Sequence, residues 1–231
     1  MSLRPRTLCL ATALLLLLVS LPSDAPASIF DNSCLNANSL SATLLFPYFE
    51  VDFSDPGART TLIAIGNVWG TTSLTRVTLW TEWGLPTFSF NLYLKSGDIQ
   101  TINLRDIFAT GNVPVTGPGA ATYSGCNDTI GGSIGMTPII IQLAHTGQKV
   151  LGTCWSSGLQ GPNVATGYVT VDHAVRCPAA DGGGSPNPSY SGYFDGATPV
   201  AGFANNLWGD WYLVTPNENF AAGFQAVGIQ S

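Results

Sequence analysis

The chain has 231 residues, of which 45% are hydrophobic and 10% are charged, and its formal net charge is −6 at pH 7. A composition this rich in apolar residues and this poor in charge argues against an intrinsically disordered protein. The eight basic residues are scattered along the chain, so no basic stripe could follow a phosphate backbone, and nucleic-acid binding is not expected.

The first 27 residues have the order of a secretory signal peptide. Two arginines precede an apolar run from Leu8 to Leu21, and Ala25-Pro26-Ala27 supplies the small residues of a cleavage site. The run falls short of the roughly 20 residues that span a bilayer, although an uncleaved anchor is the alternative. No later segment is apolar enough to span a membrane. We therefore expect a bacterial-type protein that is secreted, periplasmic or exposed on the cell surface.

Alternation of apolar and polar residues with a period of two dominates residues 43–108. In PTFSFNLYL, one face of a strand carries Phe88, Phe90, Leu92 and Leu94, and the residues between them fall on the other face. The same pattern predicts strands in ATLLFPYFEVDF, TTLIAIGN, TRVTLWTEW and DIQTINLRDIF. Short strands at roughly ten-residue spacing, with turns between them, are typical of an all-β sandwich or barrel.

The order of these segments resembles an immunoglobulin-like module found in secreted bacterial proteins. The matching features are the strand ending in Asn, TTLIAIGN, followed by TRVTLWTEWG, PTFSFNLYL and SGDIQTINLRDIF. The longer chain, with FPYFEVD, HTGQ, GYVTVD and LWGDWYLV, also resembles an uncharacterised family of secreted bacterial proteins. The first resemblance implies an immunoglobulin-like antiparallel β-sandwich. The second supplies no catalytic residues, and a fold by itself implies no activity.

Beyond Phe108 the sequence changes to long Gly/Pro-rich loops with fewer strands. TPIIIQLAHTGQK predicts the one short helix, because Thr137 can cap it, Pro138 suits its first position and Gly147 can end it. ATGYVTVDHAV and NNLWGDWYLV predict further strands. ENFAAGFQAVGIQ is less clear and is interpreted as a last edge strand.

No clear linker divides the chain after the leader. We therefore expect one extended β domain over residues 28–231, with an immunoglobulin-like core over about 43–108 and a C-terminal extension over about 119–231. A second small domain that begins after about residue 118 is the alternative.

Four cysteines follow the leader: Cys34, Cys126, Cys154 and Cys177. An even number in an exported chain predicts two disulfides, for which three pairings are possible. We favour Cys126 with Cys154, which would bracket the helix, and Cys34 with Cys177. Metal ligation is the alternative, but the closely spaced pairs typical of zinc sites are missing from the sequence.

Two similar segments, LWTEWG and LWGDWY, each place an acid between two tryptophans. In a strand, Trp80 and Glu82 point to one face, as do Trp208 and Asp210, while the second Trp of each segment points away. We therefore expect one Trp of each pair in the core. Trp80 and Trp208 are the candidates for ligand binding.

The candidate catalytic acids are Glu82, Asp210 and Asp172. Two such carboxyl groups in one cleft could serve a glycoside hydrolase. The alternative is that the tryptophans fill the interior and the acids pair with an arginine or with backbone amides.

The sequence offers no assembled metal site. His145, near the end of the helix, and His173, on an apolar strand face, are the only histidines, and both are interpreted as structural. Glu50, Asp52 and Asp55 could bind calcium, but they lack the spacing of a calcium loop, so a solvated strand end is the preferred interpretation.

The sequence favours a secreted or cell-envelope β-sandwich that binds or scaffolds, without catalytic activity and without a cofactor. Its expected partners are envelope proteins, extracellular polysaccharide or a copy of itself. The alternative is a carbohydrate-active protein, either a lectin-like binder or a glycoside hydrolase, that uses a cleft lined by Trp and carboxylate side chains.

Overall fold

The computed structural model describes residues 39–114, 116, 132–133, 138–176, 187–195 and 199–230. All of these residues belong to one compact unit. The predicted leader and its boundary at residue 27 lie outside the described residues. Within the described ranges, no helix combines the length and the apolar character that a membrane crossing requires.

The strands, numbered in chain order, are β1 (Thr43–Asp52), β2 (Thr60–Asn67), β3 (Ser73–Thr81), β4 (Pro86–Leu94), β5 (Ile99–Asn103), β6 (Asn112–Val113), β7 (Gly132–Ser133), β8 (Lys149–Val150), β9 (Thr153–Cys154), β10 (Val164–Ala174), β11 (Leu207–Thr215), β12 (Phe220–Gln225) and β13 (Val227–Ile229). One sheet has five strands in the order β13-β1-β10-β3-β4, and a second has four in the order β12-β11-β2-β5. All neighbouring pairs in these sheets are antiparallel.

The two sheets pack face to face around one hydrophobic core, which confirms the predicted all-β sandwich. The alternation that predicts β4 is also confirmed, because Phe90, Leu92 and Leu94 are fully buried and Phe88 packs against the same core. Every residue of β3 is buried, so this strand is covered on its outer face as well as its inner face. Burial alone therefore does not show which residues of β3 face the core and which face outward.

Two strands end earlier than predicted. β3 stops at Thr81, because a turn closes with hydrogen bonds from the Gly84 amide to the Thr81 carbonyl and from the Thr81 amide to the Leu85 carbonyl, both 2.9 Å. Gly84 has a φ of 79°, which favours glycine. Trp83 therefore lies in the turn and is 56% exposed, rather than continuing the inward face of the strand.

The predicted strand DIQTINLRDIF also ends early, at Asn103. A π-helical turn over Asp106–Thr110 follows it. Leu104, Ile107 and Phe108 are all fully buried, and a spacing of three and four residues suits a helical turn better than a strand. Arg105 is also buried, and its guanidinium donates to three backbone carbonyls of the loop between β1 and β2.

The predicted helix is confirmed as α1 (Pro138–His145), with Gly147 just beyond its end at a φ of 71°. Thr137, the predicted cap, lies outside the described residues. A Cβ on Gly147 would lie only 2.7 Å from the Cα of Gly158, so glycine is required here by close backbone contact as well as by φ.

The C-terminal segment forms two edge strands instead of one. β12 pairs with β11 in the four-stranded sheet, and β13 pairs with β1 in the five-stranded sheet. Between them Ala226 is buried and its amide donates to the Gly209 carbonyl at 2.9 Å. We call Phe220–Ile229 the C-terminal strap, because it joins the edges of both sheets on one side of the sandwich.

Cys154 has no disulfide partner among the described residues. The other cysteines of the two predicted pairs, Cys34, Cys126 and Cys177, lie outside those residues. Both pairings therefore stay predictions.

Candidate functional site

The outer face of the four-stranded sheet carries two aromatic rings beside a predicted site acid. On β11, Gly209, Trp211 and Leu213 face the core, so Trp208, Asp210 and Tyr212 face outward. Trp208 is half-buried and Tyr212 is 40% exposed. The strand register therefore brings two aromatic rings and one carboxylate into a row along a single strand.

Each of the two rings lies over a glycine of a neighbouring strand. Trp208 is paired with Gly66 of β2, and a Cβ on Gly66 would lie 2.0 Å from the indole nitrogen. Tyr212 is paired with Gly223 of β12, where a Cβ would lie 2.6 Å from the phenol ring. Because only glycine leaves this room, both rings lie down on the sheet instead of standing away from it.

Between the two rings the surface is small and polar. Asp210 is paired with Ala64 on one side and with Gln225 on the other, and Ala64 is paired in turn with Thr101 of β5. Beyond this backbone pairing, the Asp210 carboxylate has no hydrogen bond or ion pair to another described residue. We call Trp208, Asp210 and Tyr212, with the two glycines under the rings, the aromatic platform.

A cleft of about 260 Å³ adjoins the platform on the side of the C-terminal strap. Its lining includes Trp208 and Asp210 of the platform, Gln225 and Ala226 of the strap, and Leu40 from the segment that precedes β1. The lining is mostly apolar with a few polar groups, which is the usual character of a small-ligand site.

Sequence reasoning identified Trp208 and Asp210 but missed Tyr212. The sequence did contain a signal for Tyr212. In a strand LWGDWY, alternate residues share a face, so residues 208, 210 and 212 lie on one side. Comparison with LWTEWG drew attention to the second tryptophan instead, and Trp211 is a core residue stacked on Phe224. The glycines under the rings could not be found without the strand register.

Trp80 does not offer a free ring face to a ligand. It is 7% exposed and stacks on Tyr168 with ring centroids 5.7 Å apart, and its indole N–H donates to the Thr170 hydroxyl at 2.9 Å. Partial burial raises the pKa of Tyr168. Of the two candidate ligand-binding tryptophans, only Trp208 therefore lies at an open surface.

Glu82 lies in the turn after β3, where one of its carboxylate oxygens accepts a hydrogen bond from the Ser157 amide at 2.5 Å. It lines a separate cleft of about 220 Å³ together with Tyr48 and Tyr168. Tyr48 donates to Glu50 at 2.7 Å, and burial with that carboxylate raises its pKa. This cleft contains one of the three candidate acids.

Asp172 lies on β10 of the five-stranded sheet, where it is buried and only 1% exposed. It accepts hydrogen bonds from the hydroxyls of Thr43 at 2.6 Å and Tyr193 at 2.9 Å. Burial raises the pKa of Asp172, and burial beside that carboxyl raises the pKa of Tyr193. The structure thus leaves the three candidate acids in three different places: Glu82 in the turn after β3, Asp172 on β10 and Asp210 on β11.

His145 is completely buried between Phe49 and Phe108, with ring centroids 5.4 and 5.1 Å away. A carbonyl can only accept, so Nδ1 carries the proton that is donated to the Thr166 carbonyl at 2.8 Å, and Nε2 accepts from the Thr87 hydroxyl at 2.8 Å. Burial lowers the pKa of His145 to about 4. These contacts give His145 a structural role.

His173 lies near the end of β10 and is 8% exposed. Its ring meets the edge of Trp69 with centroids 5.9 Å apart, and burial lowers its pKa. Its Nδ1 has no hydrogen-bond partner among the residues that the structure describes.

The three carboxylates considered for calcium are each held by other groups. Glu50 pairs with Arg59 at 3.1 Å, and Asp52 accepts from the amide and the hydroxyl of Ser54. Asp55 accepts from the Gly57 amide at 2.8 Å and from a side-chain amide of the β11–β12 turn at 2.9 Å. Over the described part of the chain, no group of three His, Cys, Asp or Glu residues is placed to hold a metal ion.

Comparison of the chain with protein-family models, with curated proteins and with solved structures gives no match, so the immunoglobulin-like resemblance stays a prediction.

Proposed function

We propose that the protein is a non-catalytic binding β-sandwich of the secreted or cell-envelope class, and that its ligand is an extracellular glycan held on the aromatic platform. The observation that carries the proposal is the placement of Trp208 and Tyr212 flat over Gly66 and Gly223, with Asp210 between them. The signal-peptide pattern at the N-terminus supports the extracellular setting.

A sugar ring has apolar C–H faces and a rim of hydroxyl groups, and the platform offers the complement of both. A ring that lies on the sheet presents its other face to the ligand at low cost in conformational entropy, because its rotamer is already set. The Asp210 carboxylate can accept hydrogen bonds from sugar hydroxyls, and such bonds to a charged acceptor are stronger than neutral ones.

The dimensions of the platform favour a chain of sugars over a single one. Residues four apart on a strand have Cα atoms about 13 Å apart, so one sugar ring cannot contact both aromatic side chains. The rings also lie over different neighbouring strands, Trp208 over Gly66 of β2 and Tyr212 over Gly223 of β12. An oligosaccharide that crosses β11 obliquely would contact both rings and pass over Asp210.

The placement of the acids supports binding over hydrolysis. Glycoside hydrolases use two carboxyl groups about 5 to 10 Å apart across the scissile bond. Here Asp210 lies on β11 and Glu82 lies in the turn after β3, and the two line different clefts. Asp172 is buried and hydrogen-bonded to the Tyr193 hydroxyl.

The test is a glycan array followed by titration calorimetry with the purified protein. Trp208→Ala and Tyr212→Ala should each weaken binding by at least tenfold, or about 1.4 kcal/mol, because each removes one stacking surface. Trp83→Ala is the matched control, since Trp83 is an exposed tryptophan in a turn of the other sheet and should leave affinity unchanged.

Rings over glycines also stabilise a sheet, so the variants need a second measurement. Circular dichroism and thermal unfolding will show whether Trp208→Ala and Tyr212→Ala stay folded at the assay temperature. Folded variants that bind glycan as tightly as the parent protein, or a parent protein that binds no glycan on the array, would contradict the proposal.

A further inference from the structure

β12 forms one edge of the four-stranded sheet, and five of its six residues are exposed. Phe220 is 45% exposed and Phe224 is 51% exposed, and Ala221 and Gly223 are exposed as well. Among the strands that the structure describes, β12 pairs with β11 alone, and no described strand occupies its second edge. Such an edge can accept another strand.

The features that usually protect an edge strand are missing from the C-terminal strap. Soluble proteins place lysine or other charges, proline or a β-bulge on such edges to prevent pairing. Residues 220–230 contain no charged residue and no proline, and the register between β11 and β12 runs without a bulge from Asp210 to Thr215. No charge would therefore repel an approaching uncharged strand.

The sequence of β12 is symmetric about Ala222. It reads Phe-Ala-Ala-Gly-Phe from Phe220 to Phe224, with an aromatic residue two positions away on each side. In an antiparallel pair related by a twofold axis normal to the sheet, residues that face each other lie on the same face. A register centred on Ala222 therefore places Phe220 of one copy opposite Phe224 of the other, twice.

The residues on the other face of β12 also allow this antiparallel pairing. There Ala221 of one copy would face Gly223 of the other, so only small side chains meet on the outer face. Tyr212 already lies over Gly223 within its own chain, and this ring would not block the approach of small residues.

We infer that β12 pairs with β12 of a second copy of this chain, in the antiparallel register centred on Ala222, to form a twofold dimer with a continuous eight-stranded sheet. A second copy is the occupant that the pattern selects, because the strand is complementary to itself and carries no charge that another partner would need to match. The twofold axis keeps both aromatic platforms on the same side of the joined sheet. The dimer does not depend on glycan binding and is measured without a ligand.

The test is the molar mass of the purified protein in solution, measured by light scattering and sedimentation over a wide concentration series. The mass should double from one chain to two as concentration rises. Ala222→Lys should remove this change, because the axis brings two lysines together. Thr101→Lys is the matched control, since it places the same charge on β5, the opposite edge of the same sheet, and should leave the dimer intact.

A charge-swap experiment separates a lost interface from a damaged fold. Ala222→Lys and Ala222→Glu should each stay at the mass of one chain, and an equimolar mixture of the two should recover the mass of two chains, because residue 222 faces its own copy. A parent protein that stays a single chain at every concentration, an Ala222→Lys variant that dimerises normally, or a mixture that stays monomeric would each overturn the inference.

Discussion

His145 makes the stability of this protein depend on pH in a defined window. The imidazole is completely buried between two phenylalanines, and it is neutral at neutral pH because desolvation lowers its pKa to about 4. The Thr166 carbonyl and the charge of Glu82 act in the opposite direction but are weaker than the desolvation. In the unfolded chain the same group titrates near its ordinary pKa of 6.5.

The sign follows from where the proton binds. Below pH 6.5 the unfolded chain takes up a proton on this histidine while the folded protein does not, so acid favours unfolding. The stability that the protein gains from a neutral, buried His145 is fully present above pH 6.5 and is lost progressively as the pH falls to about 4. The gap between the two pKa values corresponds to about 3 kcal/mol of unfolding free energy.

The assay is urea unfolding of the parent protein and of His145→Gln at a series of pH values from 7 to 4. Gln does not titrate, and its amide can still donate to the Thr166 carbonyl. The parent protein should lose about 3 kcal/mol more than the variant over this range, whatever the stability of the variant at pH 7. The difference cancels carboxylate titrations that both proteins share. Equal losses in the two proteins would refute the assignment of a buried, neutral His145.

Three further substitutions test the platform and the packing. Gly66→Val should displace the Trp208 ring, lowering the unfolding free energy by about 1 to 3 kcal/mol in urea titrations and weakening glycan binding in calorimetry, because the new side chain would occupy the space of the indole. Arg105→Ala should cost about 3 kcal/mol in urea titrations and raise proteolytic cleavage of the β1–β2 loop, since three loop carbonyls each lose a hydrogen bond from a buried charged donor. Tyr193→Phe should cost about 1.5 to 3 kcal/mol by thermal unfolding, because the buried Asp172 loses one of its two hydroxyl donors.

The strands with the clearest alternation were predictable because one side of each faces a common core. Phe90, Leu92 and Leu94 are buried as their spacing requires, and α1 ends where Gly147 allows it. The pattern was misleading where both periods fit, as around Phe108, which follows Leu104 at a helical spacing and leaves the sheet. Local spacing decides the face of a strand, but it does not decide where the strand stops.

The candidate site was only half predictable. Alternation places Trp208 and Asp210 on one face, and it places Trp80 on a face of β3 in the same way. The sequence does not say that β3 is buried on its outer face as well, while the outer face of β11 carries partly exposed side chains. Trp80 is therefore a buried residue, while Trp208 lies at the surface.

The sequence by itself determined that this is an all-β protein with alternating strands and one short helix, because those features depend on neighbours within a few residues. Only the tertiary structure decided which strands pair, and with that which glycine lies under which ring and which acids stay apart. Gly66 and Trp208 belong to strands far apart in the chain, and their contact exists only because β11 pairs with β2. Pairing between distant strands depends on the packing of the whole core, which no local pattern contains.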